Sequence, residues 1–287
     1  MKNMRYERPT SIAEACELLS TEPHAVVLAG GTDLVVEMRG GRRVDCLIDI
    51  KRIHELNDMG FSRDNDLKIG ACVVLQRLAD DPNIRKYFPG LAKAAGMVGS
   101  YQVRNRATLG GNLSNASPCA DTAPPLLVSG ARITIVSTKK TRDLDLHDFF
   151  RGVKETVLQH GELVNSIVIP SSSRSLRTAF FKIQRIRGHD LALLSLAGAY
   201  SPEKGEFRIA VGSAAPTPVL TPPITDISPT GTIDEVGNGL AERVLPFISP
   251  IDDVRASARY RREMTKVLCK RLAGALLKPE EGGHHAA

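Results

Sequence analysis

The stretch Thr108-Leu109-Gly110-Gly111-Asn112-Leu113-Ser114-Asn115-Ala116-Ser117-Pro118-Cys119-Ala120-Asp121 packs two glycines, two asparagines, two serines, a threonine and a carboxylate into fourteen residues. It is too polar for a core strand. It also contains no Lys, Arg or Glu, which an exposed loop of that length seldom lacks, and it leads directly into the apolar run 124–128. Burying so many hydrogen-bonding groups without partners costs on the order of a kcal/mol or more for each. A bound polar ligand explains the segment economically, with an exposed loop as the plainer alternative.

A second segment of the same character lies upstream. Val27-Leu28-Ala29-Gly30-Gly31-Thr32-Asp33-Leu34 reads as a short apolar strand, a pair of glycines and a helix start. Without side chains at Gly30 and Gly31, the backbone can bring successive amide donors close to an anion, and the helix N-terminus behind them adds partial positive charge. A diphosphate suits such a place. A Gly-Gly turn between strand and helix is also common for purely structural reasons.

Around these segments the chain reads as three lobes. In residues 1–56, Ser11 and Glu14 are spaced as a capping box, with Ile12, Ala15, Cys16 and Leu19 on one helical face. Strands at 25–29 and 46–50 flank a helix running to Met38, giving a small β-α-β lobe. Residues 57–160 form a second lobe, with strands at 67–74 and 131–137 and a helical stretch at 91–98. In residues 161–287, strand candidates fall at 163–169, 179–186, 191–200 and 207–212. Two helices follow, 233–247 and 252–277, the latter with apolar positions beginning at Val254. Consecutive strands with helices gathered at the end predict an α+β unit.

Composition excludes several functions. Hydrophobic residues at 42% and charged residues at 24% give the balance of a folded globular protein. The net charge of +6 is spread along the chain among acids, and the dense stretch 255–271 alternates with apolar residues as the wet face of an amphipathic helix, so no nucleic-acid partner is expected. Five scattered cysteines without a C-x-x-C pair encode neither a disulfide framework nor a metal site. With no apolar signal core or membrane-spanning run, a cytoplasmic, reduced setting is expected. His284 and His285 sit in a Gly/Ala-flanked tail and are expected to be disordered rather than ligands. The chain lacks a P-loop, a H-E-x-x-H pair and a G-x-S-x-G serine, so no catalytic acid, base, nucleophile or metal ligand is assigned.

Ala-Gly-Gly-Thr-Asp at 29–33, Thr-Leu-Gly-Gly-Asn at 108–112 and Ala-Ser-Pro-Cys-Ala-Asp at 116–121 together resemble the FAD-binding medium subunits of the xanthine dehydrogenase and carbon monoxide dehydrogenase family of molybdenum hydroxylases. Phe181-Lys182, Asp190-Leu191-Ala192 and the stretch 209–218 extend the resemblance over nearly the whole chain. It implies a two-lobed FAD-binding domain of the PCMH, vanillyl-alcohol-oxidase-like type, followed by a C-terminal antiparallel sheet with helices. It also implies that FAD lies extended between the N-terminal lobes.

By the same resemblance, Gly30, Gly31, Thr32 and Asp33 would line the first phosphate turn, Val27, Leu28, Ala29 and Leu34 on either side of it would also bind the cofactor, and Thr108, Gly110, Gly111, Asn112, Ser114 and Asn115 would supply the second turn. Asp121 would hold a ribityl or ribose hydroxyl. Leu163 and Val164 would contact flavin or adenine, Lys182 would stand near the flavin edge, and Val98 and Ser100 would lie beside the cofactor. His189, next to Asp190, stands where some relatives have an acidic residue by the flavin ring, and no cysteine-rich insertion for an additional cluster is present.

The resemblance further implies an electron relay. A large molybdenum-cofactor subunit would oxidise the substrate, a small iron-sulfur subunit would pass the electrons on, and FAD would deliver them to an external acceptor. The assembly expected is a dimer of heterotrimers. The alternatives are a stand-alone flavin oxidoreductase and a non-catalytic nucleotide-binding module.

Overall fold

In a computed structural model, which describes residues 4–186 and 188–278, the chain opens with short strands and helices in alternation. His284 and His285 lie outside the described residues. Strands β1 (Arg5–Glu7), β2 (Ala25–Leu28) and β3 (Cys46–Asp49) form a parallel sheet with β3 in the middle. Helix α1 (Ile12–Thr21) buries Ala15, Cys16 and Leu19, and α2 (Leu34–Arg39) follows the glycine turn. The expected capping box closes one residue early. Ser11 Oγ accepts from Glu14 N at 3.2 Å, but the Glu14 carboxylate accepts from Thr10 N at 2.9 Å.

The second lobe begins with β4 (Met59–Phe61) and β5 (Leu67–Gly70) and continues through six short helices. These are α3 (Leu75–Asp80), α4 (Pro82–Tyr87), α5 (Pro89–Gly96), α6 (Tyr101–Arg104), α7 (Leu109–Ser114) and α8 (Ala123–Val128). After them come β6 (Arg132–Val136), β7 (Thr141–Asp145), the hairpin β8 (Phe150–Gly152) and β9 (Glu155–Thr156), and β10 (Leu163–Ile169). The polar segment is therefore a loop only in its second half: its first half winds into α7, with Thr108 as N-cap, and 115–121 run through turns.

β10 corrects the expectation from its residues. Instead of joining the C-terminal strands, it lies between β5 and β6, antiparallel to both, at the centre of the five-stranded sheet β4-β5-β10-β6-β7. Leu163, Val164, Ser166, Ile167 and Ile169 are all buried. Such an apolar run demands cover on both faces but carries no mark of which sheet supplies it.

The C-terminal unit is the antiparallel sheet β11 (Arg177–Ile183), β12 (Leu194–Ser201), β13 (Glu206–Gly212) and β14 (Val219–Leu220), with α9 (Ile233–Val244) and α10 (Ala258–Leu277) packed on it. Every residue of β12 is buried. Leu194, Leu196 and Tyr200 join the core under α9 and α10, whereas Ala197 and Ala199 join the core shared with α5 and α8. Strand alternation thus gives one sheet two covered faces, and the second lobe supplies one cover. Among the described residues, no helix is long and apolar enough to cross a membrane.

α10 starts later than its periodicity suggests. Val254 is 98% exposed, and the residues before the Ser257 cap form a loop gathered around Asp253. Arg261, expected on the wet face, is 2% exposed. Its guanidinium donates to Leu193 O at 2.9 Å, to Asp253 Oδ1 at 2.8 Å and to Ile251 O. Burial works against the Asp253 charge, but the backbone N–H and guanidinium of Arg255, the N–H of Ala256 and the Arg261 guanidinium more than offset it and hold the carboxyl well below the usual range.

Two outcomes follow for this clasp. Arg261→Leu strands buried acceptors and is expected to lower unfolding free energy by about 2–3 kcal/mol in urea titrations. A depressed carboxyl adds stability that is full above its unfolded value, about pH 4, and is lost as pH falls below it. Asp253→Asn should therefore flatten the acid limb of a stability–pH profile; an unchanged limb would remove Asp253 from the account.

Candidate functional site

A cleft of about 690 Å³ is lined by both glycine segments, the size of an ordinary small-ligand site. One wall is Val27 and Ala29 with the turn Gly30–Gly31–Thr32–Asp33–Leu34. The facing wall is Thr108, Gly110, Gly111, Asn112, Ser114 and Asn115, continuing through Ser117 to Asp121. Leu163 and Val164 at the start of β10 lie in the same wall system, and His189, Asp190 and Leu191 come from the C-terminal unit.

The glycines have different causes. A Cβ on Gly30 would lie 2.0 Å from Arg106 O, so this residue is bare because the first turn packs on the backbone leading into the second segment. Gly110 likewise packs on Ala71, where a Cβ would meet the alanine methyl at 2.6 Å. Gly31 adopts φ +75°, a left-handed conformation that strains other residues. Only Gly111 is close to nothing but its own cap, Thr108 Oγ1, at 2.8 Å.

The available donors are also divided unevenly. At the start of α7, Leu109 N donates to Val73 O and Gly110 N to Ala71 O, each at 2.9 Å, while Gly111 N donates to Thr108 Oγ1 at 3.1 Å. That helix start is already satisfied by protein. In the first turn, by contrast, the amides of Gly31, Thr32 and Asp33 find no acceptor among the described residues. Asn112 Oδ1 accepts from Thr122 Oγ1 at 2.6 Å and Asn115 Oδ1 from Lys154 Nζ at 2.5 Å, which leaves both Nδ2 groups as donors.

Carboxylates dominate the charged lining, and most have a cation behind them. Asp121 Oδ2 accepts from Lys182 Nζ at 2.6 Å, with side chains 5% and 1% exposed, and Lys182 also donates to Met97 O at 3.1 Å. Burial pushes the Asp121 carboxyl up to about 6, against the pull of Lys182. Asp121 Oδ1 is buried without a partner among the described residues. Glu162 accepts from Arg142 at 2.9 and 2.7 Å, and Asp190 pairs with Arg185 at 3.3 Å.

Of the residues expected here, the structure gathers all but three into the cleft wall, Val98 included. Leu28 points away: the strand's period of two sends Val27 and Ala29 to the cleft and leaves Leu28 beneath Gly31. Ser100 caps α6, accepting from Val103 N at 3.3 Å. Lys182 lies sealed behind Asp121. Wall residues not expected include Ala71, Gly99, Val103, Ala107 and Glu162. Small or ordinary apolar residues carry no local signal for such a role.

These contacts separate two glycines experimentally. Gly30→Ala, which must move backbone, is expected to cost about 3 kcal/mol or more in stability, whereas Gly111→Ala, which disturbs one cap, should cost about 1 kcal/mol. Chemical denaturation of both variants checks this, and equal costs would refute the packing role assigned to Gly30.

Comparison with known proteins agrees with this geometry. The family profile of the FAD binding domain in molybdopterin dehydrogenase matches residues 2–172, and that of the CO dehydrogenase flavoprotein C-terminal domain matches residues 179–276. The glyceraldehyde dehydrogenase medium chain of Sulfolobus acidocaldarius is 32% identical over 92% of this chain and 94% of its own length. The xanthine dehydrogenase FAD-binding subunit of Escherichia coli O157:H7 is 28% identical over 93% of this chain and 94% of its own. Among solved structures, a chain of carbon monoxide dehydrogenase from Hydrogenophaga pseudoflava superposes with a TM-score of 0.86 at 27% identity, covering 96% of this chain and 97% of that one.

Proposed function

This chain belongs to the FAD-binding subunits of the molybdenum hydroxylase family, and from that premise we propose that it relays electrons from a partner's iron-sulfur clusters through FAD to an external acceptor. The observation that carries the reading is the meeting of both glycine segments in one cleft, with Gly30 packed on the backbone just before Thr108. The cleft fits the cofactor on its own terms. It offers unpartnered turn amides for an anion and a buried, unpartnered Asp121 oxygen for a hydroxyl or N–H donor.

In this reading Gly31, Thr32 and Asp33 present amide donors to the diphosphate from one side, while the Asn112 and Asn115 side chains and the Ser114 hydroxyl face it from the other. Gly30 and Gly110 bring the two walls together, and Gly111 leaves room. Asp121 accepts from a ribityl or ribose hydroxyl, and Lys182 positions Asp121 from behind. Leu163, Val164, Val98, Val27, Ala29 and Leu34 supply apolar surface for the ring systems, and Thr108 keeps α7 wound.

The bound flavin supplies redox chemistry that accepts electrons singly and releases them in pairs; the protein binds, orients and tunes it. No side chain need act as acid or base. The relatives named as a medium chain or an FAD-binding subunit support further subunits beside this chain, and we assign these as a large molybdenum-cofactor subunit and a small iron-sulfur subunit in a dimer of heterotrimers.

Gentle purification of the tagged chain from its native host tests this. The expected preparation is yellow, releases FAD and not FMN in acid, and carries a molybdenum-cofactor polypeptide and an iron-sulfur polypeptide. Gly111→Val should lose flavin while keeping its circular-dichroism spectrum, because a branched side chain fills space left at the wall. Robust turnover of an organic substrate by the isolated chain would overturn the relay.

A further inference from the structure

The cleft must accept a dianionic diphosphate, yet among the described residues its lining contains Asp33, Asp121, Glu162 and Asp190 and no Lys or Arg. Lys182, Arg142 and Arg185 already serve three of those carboxylates. One cation stands differently. Lys154, at the tip of the β8–β9 hairpin, lies between the two glycine segments: its Nζ donates to Asn115 Oδ1 at 2.5 Å and is 3.6 Å from Glu37 Oε1 on α2. Its own N–H donates to Ala116 O at 2.9 Å, and it adopts φ +62°, a left-handed conformation that residues other than glycine rarely take.

We infer that Lys154 supplies a cation to the dinucleotide's diphosphate, held at the second glycine segment by Asn115 and turned from Glu37 toward the phosphates when FAD enters. This rests on the reading that the diphosphate lies between the two turns. The exchange leaves no charge stranded, because Glu37 also pairs with Arg42. The ammonium is half-exposed, so it gives up less hydration in reaching a phosphate oxygen than it would after crossing a buried wall. Lysine on a flexible stem suits such a point charge, and the tether to Ala116 fixes the stem's origin.

Full-length apoprotein titrated with FAD and with riboflavin, which lacks the diphosphate, tests the assignment by flavin fluorescence. Lys154→Met is expected to raise the FAD Kd roughly tenfold and to leave the riboflavin Kd unchanged, with the FAD difference shrinking as salt is added. Lys154→Arg should retain most of the affinity, and Glu37→Gln should bind FAD at least as tightly as the parent. An unchanged FAD Kd in Lys154→Met overturns the inference. So does equal weakening of riboflavin and FAD, or weakening by Glu37→Gln, since either outcome makes Lys154 a clasp between walls. Gly31→Ala serves as the reference: if it weakens FAD while Lys154→Met does not, only the lysine assignment falls, and if neither weakens FAD, the turn assignment falls with it.

Discussion

The contact on which the rest depends is the approach of Gly30 to the carbonyl of Arg106. A methyl group there would sit 2.0 Å from the oxygen, far inside van der Waals contact. Because the two backbones meet directly, the strand-turn-helix of the first lobe and the start of the second polar segment have a fixed separation. Every other cleft dimension is measured from that seam. Gly110 on Ala71 makes a similar contact one layer deeper, tying α7 to the chain just after β5. Thus the repeated Gly-Gly pattern, which suggests backbone exposed to a ligand, works in half of its members, Gly30 and Gly110, by letting protein approach protein.

The electrostatics follow from the same closeness. Four carboxylates around a cleft proposed for an anionic cofactor look mismatched until their partners are counted. Asp121, Glu162 and Asp190 each have a basic side chain behind or beside them, so the wall presents hydrogen-bond acceptors with much of their charge already balanced. Asp121 is the extreme case. Its pair with Lys182 is almost fully buried, and one oxygen remains without a partner. A buried acceptor left open costs stability in the protein alone. A donor on a bound molecule would recover that cost.

Much of this was legible in the residues, and the parts that were not share a physical character. The density of hydrogen-bonding groups in 108–121 points to a ligand, and the structure places most of those residues in the wall of a cleft. The longer strands and helices follow from periodicity, whereas the short helices α3, α4, α6, α7 and α8 are too brief to show one. What periodicity could not carry was partnership. β10 is as apolar as any central strand, and nothing in Leu163–Ile169 says that its neighbours are β5 and β6. Arg261 fits the polar face of α10 by spacing, but its burial is decided by a carbonyl 68 residues earlier, at Leu193. Leu28 was drawn into the site by contiguity, although strand alternation alone separates it from Val27 and Ala29. Lys154 lies in an unremarkable hairpin and gains meaning only from Asn115 and Glu37.

The C-terminal sheet has more than a covering role, because it grips the second wall from behind at three places. Lys182 on β11 holds Asp121, Ser213 N at the end of β13 donates to Pro118 O at 2.8 Å, and Arg255 before α10 donates to Cys119 Sγ at 2.9 Å. Pro118, Cys119 and Asp121 are consecutive or nearly so, and Cys119 and Asp121 belong to the part of the wall that α7 does not stiffen. Arg255 is in turn fixed by Asp253, which also holds the buried Arg261. A chain of polar contacts therefore runs from Arg261, buried on α10, through Asp253 and Arg255 to Cys119, two residues before the carboxylate assigned to the cofactor. Helix winding alone could order Thr108 to Asn115, but the stretch beyond it acquires its shape from residues more than sixty positions later. The FAD-binding half and the C-terminal half consequently behave as one site-building unit, with the cleft wall completed only when the downstream sheet is in place.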